Sequence, residues 1–316
     1  MRTAFVGAVE GSAVALRALA AAGAAPDLVV TLPPERASRH SDHADLAPLA
    51  RAVGSELHPT VDVNAPATLT RLRALDPDHV WVIGWSQICR DAFLATARHG
   101  CIGFHPAALP KMRGRAVIPW TILTCQAVTG STLFWLDAGT DSGPILSQRR
   151  FPVADDETAA TLYAKHGVNL EAMLGEAVGL LRAGQAPRTP QDHGQATYCA
   201  KRTPADGWIE WQQPADEIGR LVRAVGAPYP GAYTWHREAP LTIWSAGPPE
   251  DGSRFVGLAG QIQALDDGRA LVACGDGACL ALDRVQAPGQ PPRPAADVLR
   301  THVRLGPLPP SPMVPS

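Results

Sequence analysis

The run Val80, Trp81, Val82 and Ile83 is the feature that most constrains this chain. Four consecutive β-branched or aromatic residues leave no polar face, so residues 79–84 read as a strand buried on both sides, as strands of parallel sheets are. A parallel strand needs crossover connections, and its surroundings supply them. Strand-like runs at 2–8 and 27–32 alternate with helical patterns at 12–22, 45–53 and 65–74. After a helical stretch at 90–98, a short run at 101–104 leads to His105 and Pro106, where proline halts regular structure. A helix at 117–126, strands at 131–136 and 145–153 and a long helix at 157–181 complete an α/β half with a Rossmann-like, open, mostly parallel sheet.

At 316 residues the chain exceeds what one hydrophobic core usually organises, so more than one domain is expected. The α/β domain takes 1–183. Residues 184–202 change to Gly, Pro, Gln, Thr and Asp, the composition of a linker. From 203 to 306 a helix at 215–225 precedes short strands parted by Gly, Pro and Asp turns, the pattern of a small OB-like β-barrel. The proline-rich tail 307–316 reads as disordered.

Several classes of function are disfavoured. Hydrophobic residues make up 46% of the chain and charged residues 18%, but the apolar runs are far too short to cross a bilayer. Arg2 precedes only a brief apolar stretch before Gly7, without a long signal-like segment, which points to a cytoplasmic protein without membrane attachment. Six cysteines are scattered with no Cys-x-x-Cys pair and no zinc-like Cys/His spacing, so buried thiols are expected and no metal. A net charge of −2 implies no general field for a polyanion. Gly7 and Gly11 lie at the first strand-to-helix turn, yet the full Gly-x-Gly-x-x-Gly pattern is missing and no acidic residue ends the second strand. A tight turn explains these glycines better than a nicotinamide site does.

Two stretches carry chemistry. In the first, His105 stands at the carboxyl end of a buried strand, where open α/β sheets place their ligands, and opens a loop shaped by Pro106, Pro110 and Gly114 beside Arg113 and Arg115. A lone histidine is more often structural; the loop that follows it shifts the balance. In the second, a strand runs into a turn bearing Asp137, Gly139, Asp141 and Gly143. Two aspartates in such a turn are commonly turn formers through side chain to backbone bonds, and both read that way while this segment stands alone.

Together the stretches resemble the formyltransferase family, which includes methionyl-tRNA formyltransferase, the sugar N-formyltransferases, the aminoarabinose-pathway formylating domain and glycinamide ribonucleotide formyltransferase. His105, the Leu-Pro-x-x-Arg-Gly loop from Leu109 to Gly114 and the Asp-x-Gly-x-Asp-x-Gly turn from Asp137 to Gly143 match the family pattern in order and spacing. Further likeness lies in Asp206 to Trp211, in Arg223 and Ala224, in Pro228 to Ala232 and in Leu241 to Trp244, which resemble the C-terminal module of the two-domain members.

The resemblance implies a formyltransferase domain over 1–183 that moves a formyl group from 10-formyltetrahydrofolate to an amine. It implies a pterin site built from Gly84, Trp85, Ser86, Gln87 and Ile88 on one loop and Leu136, Asp137, Ala138, Gly139 and Thr140 on the other. Pro110, Arg113, Gly114 and Arg115 would form the substrate loop, with one or both arginines on a phosphate or carboxylate. His105 suits the proton transfer, with Asp141 as its carboxylate partner.

In one place the chain departs from the pattern: where the family carries an asparagine, two residues before the histidine, it has Gly103. The usual carboxamide donor to the developing oxyanion is then missing, and a lost donor of this kind can cost about a hundredfold or more in rate. Three readings follow: a variant enzyme using another donor, an enzyme taking a bulkier acyl group, or an altered, silent folate-binding homologue. The first is preferred, because His105 and Asp141 both persist. As acceptor, a small-molecule amine such as an amino sugar nucleotide or an amino-acid-like precursor is favoured over transfer RNA. Residues 204–306 hold nine arginines and no lysine against twelve acids, a poor clamp for nucleic acid.

Overall fold

The computed structural model describes residues 1–39, 42–250 and 255–306; the tail expected to be disordered, 307–316, lies outside the described residues. The elements run β1 (Thr3–Val6), α1 (Glu10–Ala21), β2 (Leu28–Thr31), α2 (Ala47–Ala52), β3 (Glu56–Pro59), α3 (Pro66–Leu75), β4 (His79–Val82), α4 (Asp91–Leu94) and β5 (Cys101–His105). Then come β6 (Arg113–Gly114), α5 (Val117–Leu123), β7 (Val128–Trp135), β8 (Ile145–Pro152), α6 (Ala159–Arg182) and β9 (Tyr198–Cys199). The remainder is α7 (Ala215–Val225), β10 (Ala232–His236), β11 (Ala239–Gly247), β12 (Ile262–Asp266), β13 (Arg269–Ala273), β14 (Cys279–Gln286), β15 (Arg293–Pro294) and α8 (Ala295–Val298). These group into two compact units. The first takes 1–117, 127–153 and 162–201; the second takes 118–126, 154–161 and the residues from 202 on.

In the first unit a seven-stranded sheet has the order β3-β2-β1-β4-β5-β7-β8. Neighbours from β3 to β5 pair in parallel, while β7 and β8 return antiparallel at the other edge. The continuous apolar run at 80–83 is explained by burial on both faces. Val29, Phe5, Trp81, Ile102 and Trp135 stand in register across five strands, and all lie in the core cluster that also takes Leu16 and Leu19 of α1 and Leu170, Met173 and Leu174 of α6. The alternate residues Ala4, Val6, Leu28, Val30, Val80, Val82 and Cys101 pack on the opposite face with Leu69 and Leu72 of α3 and Phe93 of α4. Each fully buried large side chain of this kind contributes roughly 1.5–3 kcal/mol relative to exposure.

The strand order reverses between β1 and β4, and in open α/β sheets ligands bind outside the carboxyl ends of strands at such a point. Those ends carry the segment from Ile83 into the loop 84–88 and, one strand over, His105. The edge strand β3 and the two-residue strands β6 and β9 have no counterpart among the elements expected from the sequence, and the helical stretch expected at 90–98 contracts to α4.

In the second unit an antiparallel sheet has the order β10-β11-β14-β13-β12, with β15 beside β14. Helix α7 packs on β11 and β14, presenting the buried Ile218 and Val222. Among the described residues, β10 and β12 at the two ends of this order are not paired with each other. No helix among the described residues is long and apolar enough to cross a membrane.

Candidate active site

Strand β5 ends where Pro106 begins a loop that cannot continue the ladder. The loop is pinned from beneath: the Thr132 hydroxyl donates to the Ala107 carbonyl at 2.6 Å, and the Gln148 amide donates to the Leu109 carbonyl at 2.9 Å. Its far end turns back through Met112, at φ 58°, so that the Met112 carbonyl faces the histidine. His105 Nε2 lies 2.7 Å from that carbonyl oxygen. A carbonyl only accepts, so Nε2 carries a proton and Nδ1 is the position left for exchange. Nδ1 stands 3.5 Å from Asp141 Oδ2, with the histidine side chain 5% exposed and the aspartate 22%.

Asp141 Oδ2 also accepts the Gly114 N–H at 2.7 Å. Gly114 has φ 103°, and a Cβ there would lie 2.6 Å from the Cys199 carbonyl oxygen across the β6–β9 pair. Only glycine fits this approach. The histidine, the carboxylate and this amide are thus brought together from β5, the turn after β7, and β6.

The other residues named from the sequence are placed as follows. Asp137 Oδ1 accepts from the Gly139 N–H at 3.0 Å and the Ser142 hydroxyl at 2.8 Å, closing an exposed turn in which Ala138, Gly139 and Thr140 face solvent. Gly84 takes φ 74° at the end of β4. Gln87 ties the next loop to its neighbour: its Oε1 accepts from Val63 N–H at 3.0 Å and from the Trp85 indole at 3.3 Å, and its Nε2 donates to the Val61 carbonyl at 2.7 Å. Ser86 and Ile88 are exposed, and Trp85 and Leu136, both half-buried, pack on the same apolar cluster. Gly103 is buried in β5 beside Leu136 and Phe134. Pro110 is half-buried in the loop.

The two arginines part company. Arg115 is exposed, whereas Arg113 is only 2% exposed and its donors are engaged within the protein. Arg113 Nε and Nη2 reach Gln191 Oε1 at 3.2 and 2.6 Å, Nη1 reaches the Tyr198 hydroxyl at 3.1 Å, and Nη2 lies 3.1 Å from His193 Nδ1. Gln191, His193 and Tyr198 went unnoticed in the sequence. They sit in the stretch whose composition reads as a linker, where the one local signal was the strand-like pair Tyr198 and Cys199 forming β9. Thr197 belongs with them, its hydroxyl accepting from the Met112 N–H at 2.8 Å and its carbonyl from the Arg113 N–H at 2.8 Å.

No thiol competes as a nucleophile near these groups. Burial pushes Cys89 up to about 12 and raises Cys101 and Cys199 as well, so all three stay protonated. Among the described residues no group of three or more His, Cys, Asp or Glu is arranged to hold a metal ion. The second unit has a cleft of about 450 Å³ whose lining includes Val222, Arg223 and Trp244, but the only charged side chain in it is Arg223, without an acid–base partner.

Residues 11–178 match the family model described as formyl transferase, and residues 201–303 match formyl transferase, C-terminal domain. Among solved structures, HypX from Aquifex aeolicus in complex with tetrahydrofolic acid is similar at a TM-score of 0.65 and 18% identity, over 95% of this chain and 47% of that one. The N-formyltransferase from Helicobacter canadensis, in complex with folinic acid and dTDP-3-aminofucose, gives a TM-score of 0.63 at 15% identity over 91% and 99% of the two chains. Methionyl-tRNA formyltransferase from Clostridium thermocellum gives 0.58 at 16% identity over 80% and 96%. The present chain spans about half the length of HypX, and at these identities the likeness to each structure is one of fold. With the first family model covering more than half of its residues and the second most of the rest, this chain belongs to the formyl transferase family.

Proposed function

We propose that the chain transfers a formyl group from 10-formyltetrahydrofolate to the amine of a small molecule. The observation that carries this reading is the arrangement of His105 at the end of β5, with Nε2 anchored on the Met112 carbonyl and Nδ1 3.5 Å from Asp141 Oδ2. When bound, 10-formyltetrahydrofolate supplies the formyl carbon and the nitrogen that leaves it. His105 Nδ1 takes the proton that the attacking amine loses as its C–N bond forms, and returns it to the departing nitrogen. Asp141 Oδ2, held by the Gly114 N–H, faces the ring while it is charged. Gly103 brings no side-chain donor to this site, so the developing oxygen charge must be met by another donor, which is the variant-enzyme reading.

Trp85 and Leu136 fit the pterin: each keeps an apolar, half-exposed side on a shared cluster, while the turn 138–140 leaves short side chains and backbone at the surface. The favoured acceptor is an amino sugar nucleotide, followed by an amino-acid-like precursor. Support comes from the Helicobacter canadensis relative, whose complex contains dTDP-3-aminofucose, and from the acidic balance of residues 204–306. The test is calorimetric titration with 5-formyltetrahydrofolate, followed by turnover of 10-formyltetrahydrofolate with a panel of amines and with initiator tRNA. Saturable folate binding with a small amine as the preferred acceptor supports the reading; preference for the tRNA overturns the choice of acceptor.

A further inference from the structure

We infer that Gln191 is a positioning residue for Asp141, fixing the backbone that carries the candidate carboxylate. The inference rests on the formyl-transfer reading of His105 and Asp141. Gln191 is 6% exposed, and both ends of its carboxamide are engaged. Oε1 accepts from Arg113 Nε and Nη2, and Nε2 donates to the carbonyls of Asp141 at 2.9 Å and Gly143 at 2.7 Å. A guanidinium only donates and a carbonyl only accepts, so the amide has one possible orientation. The position requires an acceptor on one side and a pair of donors on the other. Glutamine supplies both without charge; glutamate supplies acceptors only.

The carbonyls it gathers belong to the turn that bears the carboxylate. Asp141 sits at φ 50°, a left-handed conformation sparsely populated by residues other than glycine, which persists where surrounding contacts hold it. From this backbone its side chain meets the Gly114 N–H and His105 Nδ1. Gly114 directly follows Arg113, so the contacts close on themselves: Arg113 side chain to Gln191, Gln191 to the Asp141 backbone, Asp141 side chain to Gly114, and Gly114 back to Arg113 through one peptide bond. Arg113 is anchored in turn by the Tyr198 hydroxyl. Removing the donors of Gln191 releases the backbone of Asp141 while leaving its carboxylate chemically intact, and misplacement of a reacting group costs rate rather than binding.

Gln191→Glu is the test, because it keeps the shape and the acceptor for Arg113 and replaces the donors. Two readouts are taken on the purified full chain: hydrogen exchange at the Gly114 amide, and turnover of 10-formyltetrahydrofolate with dTDP-3-aminofucose as probe amine. Exchange at Gly114 should accelerate at least about tenfold with the Ile102 amide in β5 unchanged, and kcat should fall at least about tenfold with KM for the folate moving far less. A purely structural role would speed exchange at both amides and lower the melting temperature without this split. If Gly114 exchange, or kcat, stays within about twofold of the parent, the inference is overturned. Should Gln191→Glu not fold, Arg113→Lys, which keeps the charge and loses the fork on Gln191, should move both readouts in the same direction, and unchanged values there overturn it equally. A parent protein that turns over 10-formyltetrahydrofolate with no amine of the panel would instead overturn the formyl-transfer reading, while the Gly114 exchange still decides whether Gln191 holds Asp141.

Discussion

Gly103 and Leu136 compete for one volume: a Cβ built on the glycine would lie 2.7 Å from the leucine Cδ2, with the Phe134 ring 3.0 Å away. Gly103 is not among the residues with positive φ, so its backbone would accept any side chain, and one placed there must displace the tip of Leu136. The groups that approach this glycine are the Leu136 and Phe134 side chains.

Gly103→Asn should therefore push Leu136 out of place, and with it a side chain assigned to the pterin site. Overpacking of this kind costs about 1–3 kcal/mol, read as a lower melting temperature. Binding of 5-formyltetrahydrofolate and turnover should both weaken. Adding Leu136→Ala should recover much of the stability, giving a coupling of about 0.5–3 kcal/mol in a double-mutant cycle. Faster formyl transfer by the single variant would show that the position is an empty donor site.

Asp141→Asn separates chemistry from fold. The amide keeps an oxygen to accept the Gly114 N–H, so the turn should stay closed and the melting temperature nearly unchanged. Turnover should drop by roughly 10²–10⁴-fold, with the loss in kcat rather than in folate affinity. His105→Gln, which can still donate to the Met112 carbonyl, should behave alike. Loss of folate affinity with kcat preserved in either variant would contradict the roles assigned.

Acid sensitivity should trace to His79 at the start of β4, 5% exposed and packed between the rings of His99 and Trp135. Burial lowers its pKa from the ordinary 6.5, and the charges of His99 and Arg188 act in the same direction, against a hydrogen bond that the ring donates to the Gly100 backbone and the charge of Asp78. The unfolded chain thus takes up a proton on this ring at a higher pH than the folded chain does. The stabilisation is complete above the ordinary histidine value and is lost as pH falls through it. Melting curves from neutral pH to about pH 5 should show a steeper decline for the parent than for His79→Gln. Equal slopes would place the sensitivity elsewhere.

The architecture was legible where burial is two-sided. The run at 80–83 marked β4, and the breaks at Pro106 and around Gly139 marked both ends of the candidate site. Strand β3 escaped because it lies at the sheet edge, carries Glu56 and His58, and has no fully buried residue to betray a period. His105 could be named from its place at a strand end before a proline-shaped loop, whereas Asp141, in a turn where aspartates are commonly turn formers, could be named only through the family resemblance. Gln191 could not: a buried glutamine in a Pro- and Thr-rich stretch looks like surface, and its value comes from contacts across 48 to 78 positions of sequence. Nor does composition show that Arg113 is buried on Gln191, Tyr198 and His193.

Calorimetric titration of the full chain with 5-formyltetrahydrofolate, in parallel for the parent and Leu136→Asp, tests the central claim most directly. The account predicts saturable, micromolar binding of one folate per chain to the parent and its loss in the variant, whose charge would stand against the pterin beside Trp85. No heat from the parent up to millimolar ligand would contradict it.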